Sequence, residues 1–136
     1  MSIEIERINP KGLFVLDAFT QIVRTQGGRL AFIAGQGAFD EQFNLIGAGD
    51  LHAQVVQAFR NLRTAVESLG GSVDQIVSTN MYIVGLDPQM VELFQQAMAV
   101  ALDGKPFPPN ASTMIGVQSL AGEGMLVEIS AVAVVE

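Results

Sequence analysis

The segment MLVEISAVAVV, residues 125–135, decides the fold, because its pattern predicts a strand that is apolar on both faces. Successive side chains of a strand point to opposite faces of the sheet. One face carries Met125, Val127, Ile129, Ala131, Ala133 and Val135. The other carries Leu126, Glu128, Ser130, Val132 and Val134. Such a strand is typical of a sheet covered on both sides, so we expect helices on one face and other copies of the chain on the second.

Two helices upstream can cover the first face. Over residues 51–69, apolar side chains recur every three or four positions, which is the spacing of one helical face. Asp50 occupies the position of an N-cap, and Gly70-Gly71 is expected to end the helix. A second helix is predicted from Asp87-Pro88, a capping carboxylate followed by a proline, to about Leu102.

The other predicted elements are strands at 3–8, 18–25, 29–34, 75–84 and 111–117. Glycines at 27 and 28 suit a tight hairpin between the second and third of the chain's strands. The resulting order, β-β-β-α-β-α-β-β, predicts a single α+β domain spanning residues 1–136. We expect one mixed sheet with both helices on the same face.

The composition of the chain limits where its apolar residues can go. Hydrophobic residues make up 49% of 136 residues, and the mean hydropathy is +0.38. A small domain has little interior, so the excess must lie in a subunit interface, a pocket or a membrane. No run approaches the 18 apolar residues of a spanning helix, and residues 1–7 lack the features of a secretory signal. We therefore expect a cytoplasmic oligomer with no membrane partner.

The small number of basic residues, the absence of cysteine and the single histidine argue against several functional classes. The net charge is −7, and the seven Lys and Arg residues form no cluster, so a nucleic-acid partner is not expected. With no cysteine, the chain has no thiolate nucleophile and no cysteine metal ligand. His52 is the only histidine, and we expect it at the surface of the first helix. Neither a metal nor an organic cofactor is predicted.

Glu128 is a carboxylate within an otherwise apolar strand. Burial of an unpaired carboxylate is costly, so the group must find hydrogen-bond donors or become protonated. In a small cleft it can hold and activate a water molecule. Equally consistent with the pattern is a solvated position, or an ion pair with a neighbouring subunit.

The segment GKPFPPNASTMIGV, residues 104–117, is the second candidate for a binding site. Its prolines predict a rigid loop that leads directly into a strand. Such a loop can present Asn110, Ser112 and Thr113, followed by Met114, to a small ligand. A plain connection between two elements is the commoner use of a loop of this kind.

Four segments together resemble the Rid/YjgF family, whose members often carry the label endoribonuclease L-PSP. They are FIAGQGAFD at 32–40, the helix-to-strand segment at 50–86, FPPNASTMIGVQSL at 107–120 and LVEISAVAV at 126–134. The resemblance implies a chorismate-mutase-like fold. It also implies a homotrimer whose three sheets surround an inner barrel, with the helices outside and three ligand clefts between subunits.

The resemblance further implies cofactor-free hydrolysis of reactive enamines and imines, which releases ammonia. Glu128 matches the family glutamate that positions the attacking water. Ser112 falls where deaminating members have an arginine that holds the substrate carboxylate, and Phe19 falls where they have a tyrosine. A serine cannot replace the bidentate charged contact of an arginine. Arg24 on the second strand is a candidate substitute.

Two functions follow from these residues. The first is an enamine or imine hydrolase in which Glu128 activates water, while Ser112, Thr113 and the main chain at Gly35-Gln36 orient the substrate. The alternative is a trimeric ligand-binding or regulatory protein that has kept the cleft without the chemistry. The acidic composition makes a ribonuclease the least favoured of the functions considered.

Overall fold

A computed structural model of the chain describes residues 2–136. Its elements are, in order, β1 (Glu4–Ile8), β2 (Ile22–Gln26), β3 (Arg29–Gln36), α1 (Leu51–Glu67), a short 3-10 helix (Val73–Gln75), β4 (Ile76–Val84), α2 (Pro88–Ala101), β5 (Ala111–Val117) and β6 (Val127–Val135). The predicted order and the two helices are confirmed. No helix within the described part of the chain is long and apolar enough to cross a membrane.

A four-stranded mixed sheet, in the order β3-β6-β4-β5, forms the centre of the fold. β4 and β5 are parallel, because α2 crosses over between them, and the other pairs are antiparallel. β6 lies between β3 and β4, which gives its backbone a hydrogen-bonding partner on each side. The prediction of a mixed sheet with helices packed on it is therefore confirmed.

The predicted hairpin between residues 18 and 34 is wrong. Gly27 and Gly28 do turn the chain, with φ of 78° and 70°, but β2 pairs with β1 in a separate two-stranded sheet. The long apolar β6 needs a partner on both edges, and β3 supplies one of them. β2 is left to pair with β1, where Arg24 lies directly across from Glu6.

Both helices begin where the sequence predicts. The Asp50 carboxylate accepts a hydrogen bond from the main-chain N–H of Ala53, and Asp87 caps α2 in the same way. The apolar stripe of α1 is buried from Val55 to Val66, whereas its first member, Leu51, is half-buried and its last predicted member is exposed. The helix ends at Glu67, so Leu69 lies beyond it and is 48% exposed.

The two faces of the sheet differ in what covers them. The helix-facing side chains of β6, among them Val127, Ile129 and Ala133, are buried against α1 and α2. The opposite surface, called the open face below, carries Leu30, Phe32, Val132 and Val134 at one end and Tyr82 and Glu128 at the other. Phe32 is 77% exposed on it. This is the surface that the sequence predicts other copies of the chain to cover.

Candidate functional site

Glu128 lies on the open face, near the start of β6. It is half-buried, and its cross-strand partner on β4 is Tyr82, the only tyrosine of the chain. None of the ion pairs within residues 2–136 involves Glu128. The carboxylate therefore stands at the protein surface without an internal cation, in a position to bind a water molecule or a ligand.

An irregularity in β3 brings the main chain close to this carboxylate. Ile33 pairs with Ala131 and Gln36 with Ile129, so β3 has one more residue than β6 across this interval. Such a β-bulge bends the strand and redirects its side chains. The Gln36 side-chain amide donates a 2.9 Å hydrogen bond to the Ala34 carbonyl within the bulge.

Gly35 belongs to the bulge and lies directly beneath Glu128. A Cβ atom built on Gly35 would be 2.7 Å from both Cδ and Oε2 of Glu128. The missing side chain at residue 35 thus leaves the space that the carboxylate occupies. The structure brings Gly35, Gln36 and Glu128 together, and this set is called the Glu128 group below.

The loop that follows β3 is held in place by α1. The Asn61 amide donates to the carbonyl oxygens of Gly37 and Phe39, at 3.0 and 2.9 Å. Gln57, one turn earlier, donates to Asn61 Oδ1 and fixes the orientation of that amide. These contacts determine where β3 ends and therefore where the bulge lies.

Gln54 fixes the approach to β6. Its buried side chain donates to the carbonyls of Gly47 and Gly124 and accepts a 2.8 Å hydrogen bond from Leu126 N. Leu126 is two residues before Glu128, so this amide sets the position of the strand that carries the acid. The sequence shows Gln54 and Asn61 only as parts of a helix. The available signal was that Gln54 falls three residues after Leu51, beside the apolar stripe of the helix, but the partners of both amides depend on the tertiary structure.

Phe19, Ser112 and Met114 meet at a second place, a cavity of about 240 Å³ between α2, β5 and the loop ahead of β2. It is called the α2 cavity below. Its walls are formed by Leu16, Ala18, Phe19, Met81, Val91, Phe94, Gln95, Met98, Ser112 and Met114. Ser112 and Gln95 are the only polar side chains among them, so the cavity is largely apolar.

The α2 cavity and Glu128 lie on opposite faces of the sheet. Ser112 pairs with Thr79 and Glu128 pairs with Tyr82, and directly paired residues share a face. Thr79 and Tyr82 are three positions apart on β4, so their side chains point to opposite sides. A single protomer therefore does not bring Ser112 and Glu128 together.

The other predicted site residues lie outside both groups. Asn110 is buried, and its side-chain Oδ1 accepts a 2.9 Å hydrogen bond from the Thr79 hydroxyl. Its main-chain carbonyl accepts a hydrogen bond from the main-chain N–H of Thr20. It thereby anchors the loop that contains Phe19. Thr113 is exposed on the open face across from Asn80.

Arg24 is engaged on the two-stranded sheet. Its Nε and one terminal nitrogen both bind the Glu6 carboxylate, at 3.1 and 2.9 Å. This hydrogen-bonded pair lowers the pKa of Glu6 and raises the pKa of Arg24. Arg24 does not line the α2 cavity. Across residues 2–136, no group of three His, Cys, Asp or Glu side chains is arranged to hold a metal ion.

Comparison with known proteins extends over nearly the whole chain. The family model described as endoribonuclease L-PSP matches residues 12–135. The structure of YyfB from Yersinia pestis, a Rid family protein, is similar with a TM-score of 0.86 and 30% identity, over 96% of this chain and 98% of that one. Rv2704 from Mycobacterium tuberculosis, of the YjgF/YER057c/UK114 family, is similar with a TM-score of 0.59 and 28% identity, over 86% of each chain.

A curated relative gives a more specific comparison. The 2-iminobutanoate/2-iminopropanoate deaminase of Dermatophagoides farinae is 27% identical over 117 residues, which is 82% of each protein.

Proposed function

Because the chain belongs to the endoribonuclease L-PSP family, also called Rid/YjgF, we propose that it hydrolyses a small reactive imine or enamine in a cleft between two subunits of a homotrimer. The reaction needs no cofactor, and ammonia is one product. The observation that carries this proposal is the half-buried Glu128 carboxylate, which lies against the Gly35 main chain with no internal cation as its partner.

Glu128 acts as the general base and then as the acid. The carboxylate takes one proton from water as the oxygen attacks the C=N carbon and returns that proton to the nitrogen, which gives the neutral carbinolamine R₂C(OH)NH₂. The carboxylate then takes the hydroxyl proton and passes it to the same nitrogen, so that the C–N bond breaks and ammonia leaves as the C=O bond forms. The balance is R₂C=NH + H₂O → R₂C=O + NH₃. Proton transfer by a positioned carboxylate typically contributes about 10²- to 10⁴-fold to such a rate.

The cleft combines two surfaces from different copies of the chain. One copy supplies the Glu128 group on its open face, and the next supplies the α2 cavity with Phe19, Ser112 and Met114. The position of Ser112 and Glu128 on opposite faces supports this division, since one copy cannot close the site alone. Exposed apolar side chains on the open face, such as Phe32, support contact between copies there.

A second candidate function is ligand binding without turnover. Ser112 stands where the resemblance places a carboxylate-binding arginine, and a hydroxyl offers only a neutral hydrogen bond. A cleft that binds a metabolite weakly and reports on its concentration would keep the α2 cavity without needing Glu128 as a base. Imine hydrolysis that is lost in Glu128→Gln would contradict this alternative, whereas ligand binding without any hydrolysis would support it.

RNA cleavage is less consistent with the surface. Single-stranded nucleic acid is usually bound along a positively charged groove. The chain has a net charge of −7, and Arg24 and Arg63 are ion-paired with carboxylates.

The test is the hydrolysis of imines generated in situ by flavin amine and amino-acid oxidases, with semicarbazide competing for the free imine. Because the carbonyl product also reacts with semicarbazide, but more slowly than the imine does, the wild-type protein should lower the initial rate of semicarbazone formation. Glu128→Gln keeps the size of the side chain and should reduce kcat/KM by about 10²-fold or more. Glu123→Gln, at an exposed carboxylate ahead of β6, is the control and should keep the wild-type rate. Equal rates for wild type and Glu128→Gln would overturn the proposal.

A further inference from the structure

The α2 cavity has no charged residue in its walls. Among its lining residues are no Lys, Arg, His, Asp or Glu, and its polar groups are the Ser112 hydroxyl and the Gln95 amide. A carboxylate placed against these walls would gain no ionic partner. One neutral hydrogen bond does not replace the charged, bidentate contact by which a protein usually holds a carboxylate.

Four of the seven cations of the chain make contacts away from the α2 cavity. Arg24 and Arg63 are ion-paired with carboxylates, and Arg29 donates to the Glu136 carbonyl. Arg7 donates to two main-chain carbonyls, those of Pro109 and Asp74.

The strands around Glu128 carry no Lys or Arg close to its carboxylate either. On β6 and its neighbours β3 and β4, the only Lys or Arg is Arg29. Arg29 pairs with Val135, which is seven residues from Glu128 and therefore roughly 20 Å along the strand. A second copy of the chain brings the same residues, so these surfaces supply no charged clamp for an anionic substrate.

From this charge distribution, and resting on the proposed function, we propose that the substrate is an uncharged imine or enamine without a carboxylate, carrying a small apolar side chain that enters the α2 cavity. Phe19, Met98 and Met114 would contact that side chain, and the Ser112 hydroxyl would contact the nitrogen. A cavity of about 240 Å³ has room for a side chain of a few carbon atoms.

Amine oxidation is one class of reaction that supplies such a substrate. Oxidation of a primary amine at its carbon–nitrogen bond by a flavin oxidase or dehydrogenase gives R–CH=NH. Hydrolysis then follows R–CH=NH + H₂O → R–CHO + NH₃, with Glu128 moving the protons. For an aldimine of this kind, the protein would act after an amine oxidation, and the second product would be an aldehyde.

A matched pair of imines tests this assignment. Leucine with an amino-acid oxidase gives an imine that carries a carboxylate, and 3-methylbutylamine with a flavin amine oxidase gives the corresponding imine without it. We expect kcat/KM for the neutral imine to be higher by about tenfold or more, a difference of about 1.4 kcal/mol or more. Ser112→Arg should reverse this preference by supplying a cation at the cavity.

The outcomes separate the two proposals. Faster hydrolysis of the carboxylated imine by the wild type would overturn the substrate assignment and leave the hydrolase proposal standing. Acceleration of neither imine would overturn both. A binding measurement gives a readout that is independent of turnover: calorimetry should show 3-methylbutanamide binding at least about tenfold more tightly than 3-methylbutanoate. Tighter binding of the carboxylate would contradict the assignment even if Ser112→Arg failed to fold.

Discussion

The Glu128 carboxylate occupies the space that a side chain at Gly35 would need. A Cβ atom built on Gly35 would lie 2.7 Å from Cδ and Oε2 of Glu128. Real Cβ atoms are essentially never so close to another heavy atom, so a side chain at residue 35 would displace the acid. The bulge in β3 and the glycine within it therefore act together to place the carboxylate on the main chain.

Gly35→Ala should move the Glu128 carboxylate and reduce imine hydrolysis. A displacement of about 1 Å can cost roughly 10²-fold in rate, and we expect a loss of that order in kcat/KM. The melting temperature should change little, because the end of a flexible side chain can shift. Gly116→Ala on β5, where the new Cβ would be 3.1 Å from the Leu86 Cβ, is the matched control. Full activity in Gly35→Ala would contradict the positioning role.

Gln54→Ala should destabilise the fold. The substitution leaves Leu126 N and two carbonyls without their partner in a buried place, at a cost of roughly 2–4 kcal/mol in the free energy of unfolding. Denaturant unfolding of wild type and variant measures this difference. Gln96→Ala, at an exposed position of α2, should change the same free energy by less than about 0.5 kcal/mol. Equal values for the two variants would show that Gln54 does not hold β6.

Phe32→Glu should dissociate the assembly. Phe32 is 77% exposed on the open face, where the account places another copy of the chain, and a buried carboxylate without a partner is costly. Light scattering should give a trimer for wild type and smaller species for the variant. Leu69→Glu changes an exposed apolar residue just beyond α1 and should remain trimeric. A monomeric wild type, or a trimeric Phe32→Glu protein, would contradict the proposed interface.

Asp40 should titrate at a lower pH than an ordinary aspartate. Hydrogen bonds from the Asn44 main chain, the Asn44 side chain and the Gln42 main chain lower its pKa from 3.8. Since the folded-state pKa is depressed, these bonds stabilise the 40–44 loop above about pH 4 and are lost as the pH falls through the folded-state value. An NMR titration should show the Asp40 pKa rising in Asn44→Ala. An unchanged pKa would show that the Asn44 side chain does not contribute to the lowered value.

The helices and the strand β6 could be predicted from the sequence because each is marked by residues within or next to the element itself. Asp50 and Asp87 cap the helices they precede, and the two-sided pattern of residues 125–135 marks the central β6. The hairpin at Gly27-Gly28 failed for the opposite reason. The glycines fix a turn, but which strand pairs with which depends on the partners that β6 requires.

The position of Ser112 and Glu128 on opposite faces of the sheet could not be predicted from the spacing of residues in the sequence. Whether Ser112 and Glu128 share a face depends on the register of β4 with β5 and with β6, and α2 separates β4 from β5 in the chain. The contact between Gly35 and Glu128 likewise depends on a bulge that no local pattern encodes. The residue types were therefore recognisable, but their grouping required the tertiary structure.

Subunit complementation tests the central claim that one copy supplies Glu128 and the next supplies the cavity. Glu128→Gln and Ser112→Phe, which fills the α2 cavity, should each be inactive as pure trimers. When they are co-expressed with different tags and purified through both, every mixed trimer contains one intact site among three. We expect about a third of wild-type imine hydrolysis per trimer. Mixed trimers as inactive as the parent variants would place both surfaces on the same subunit and contradict the account.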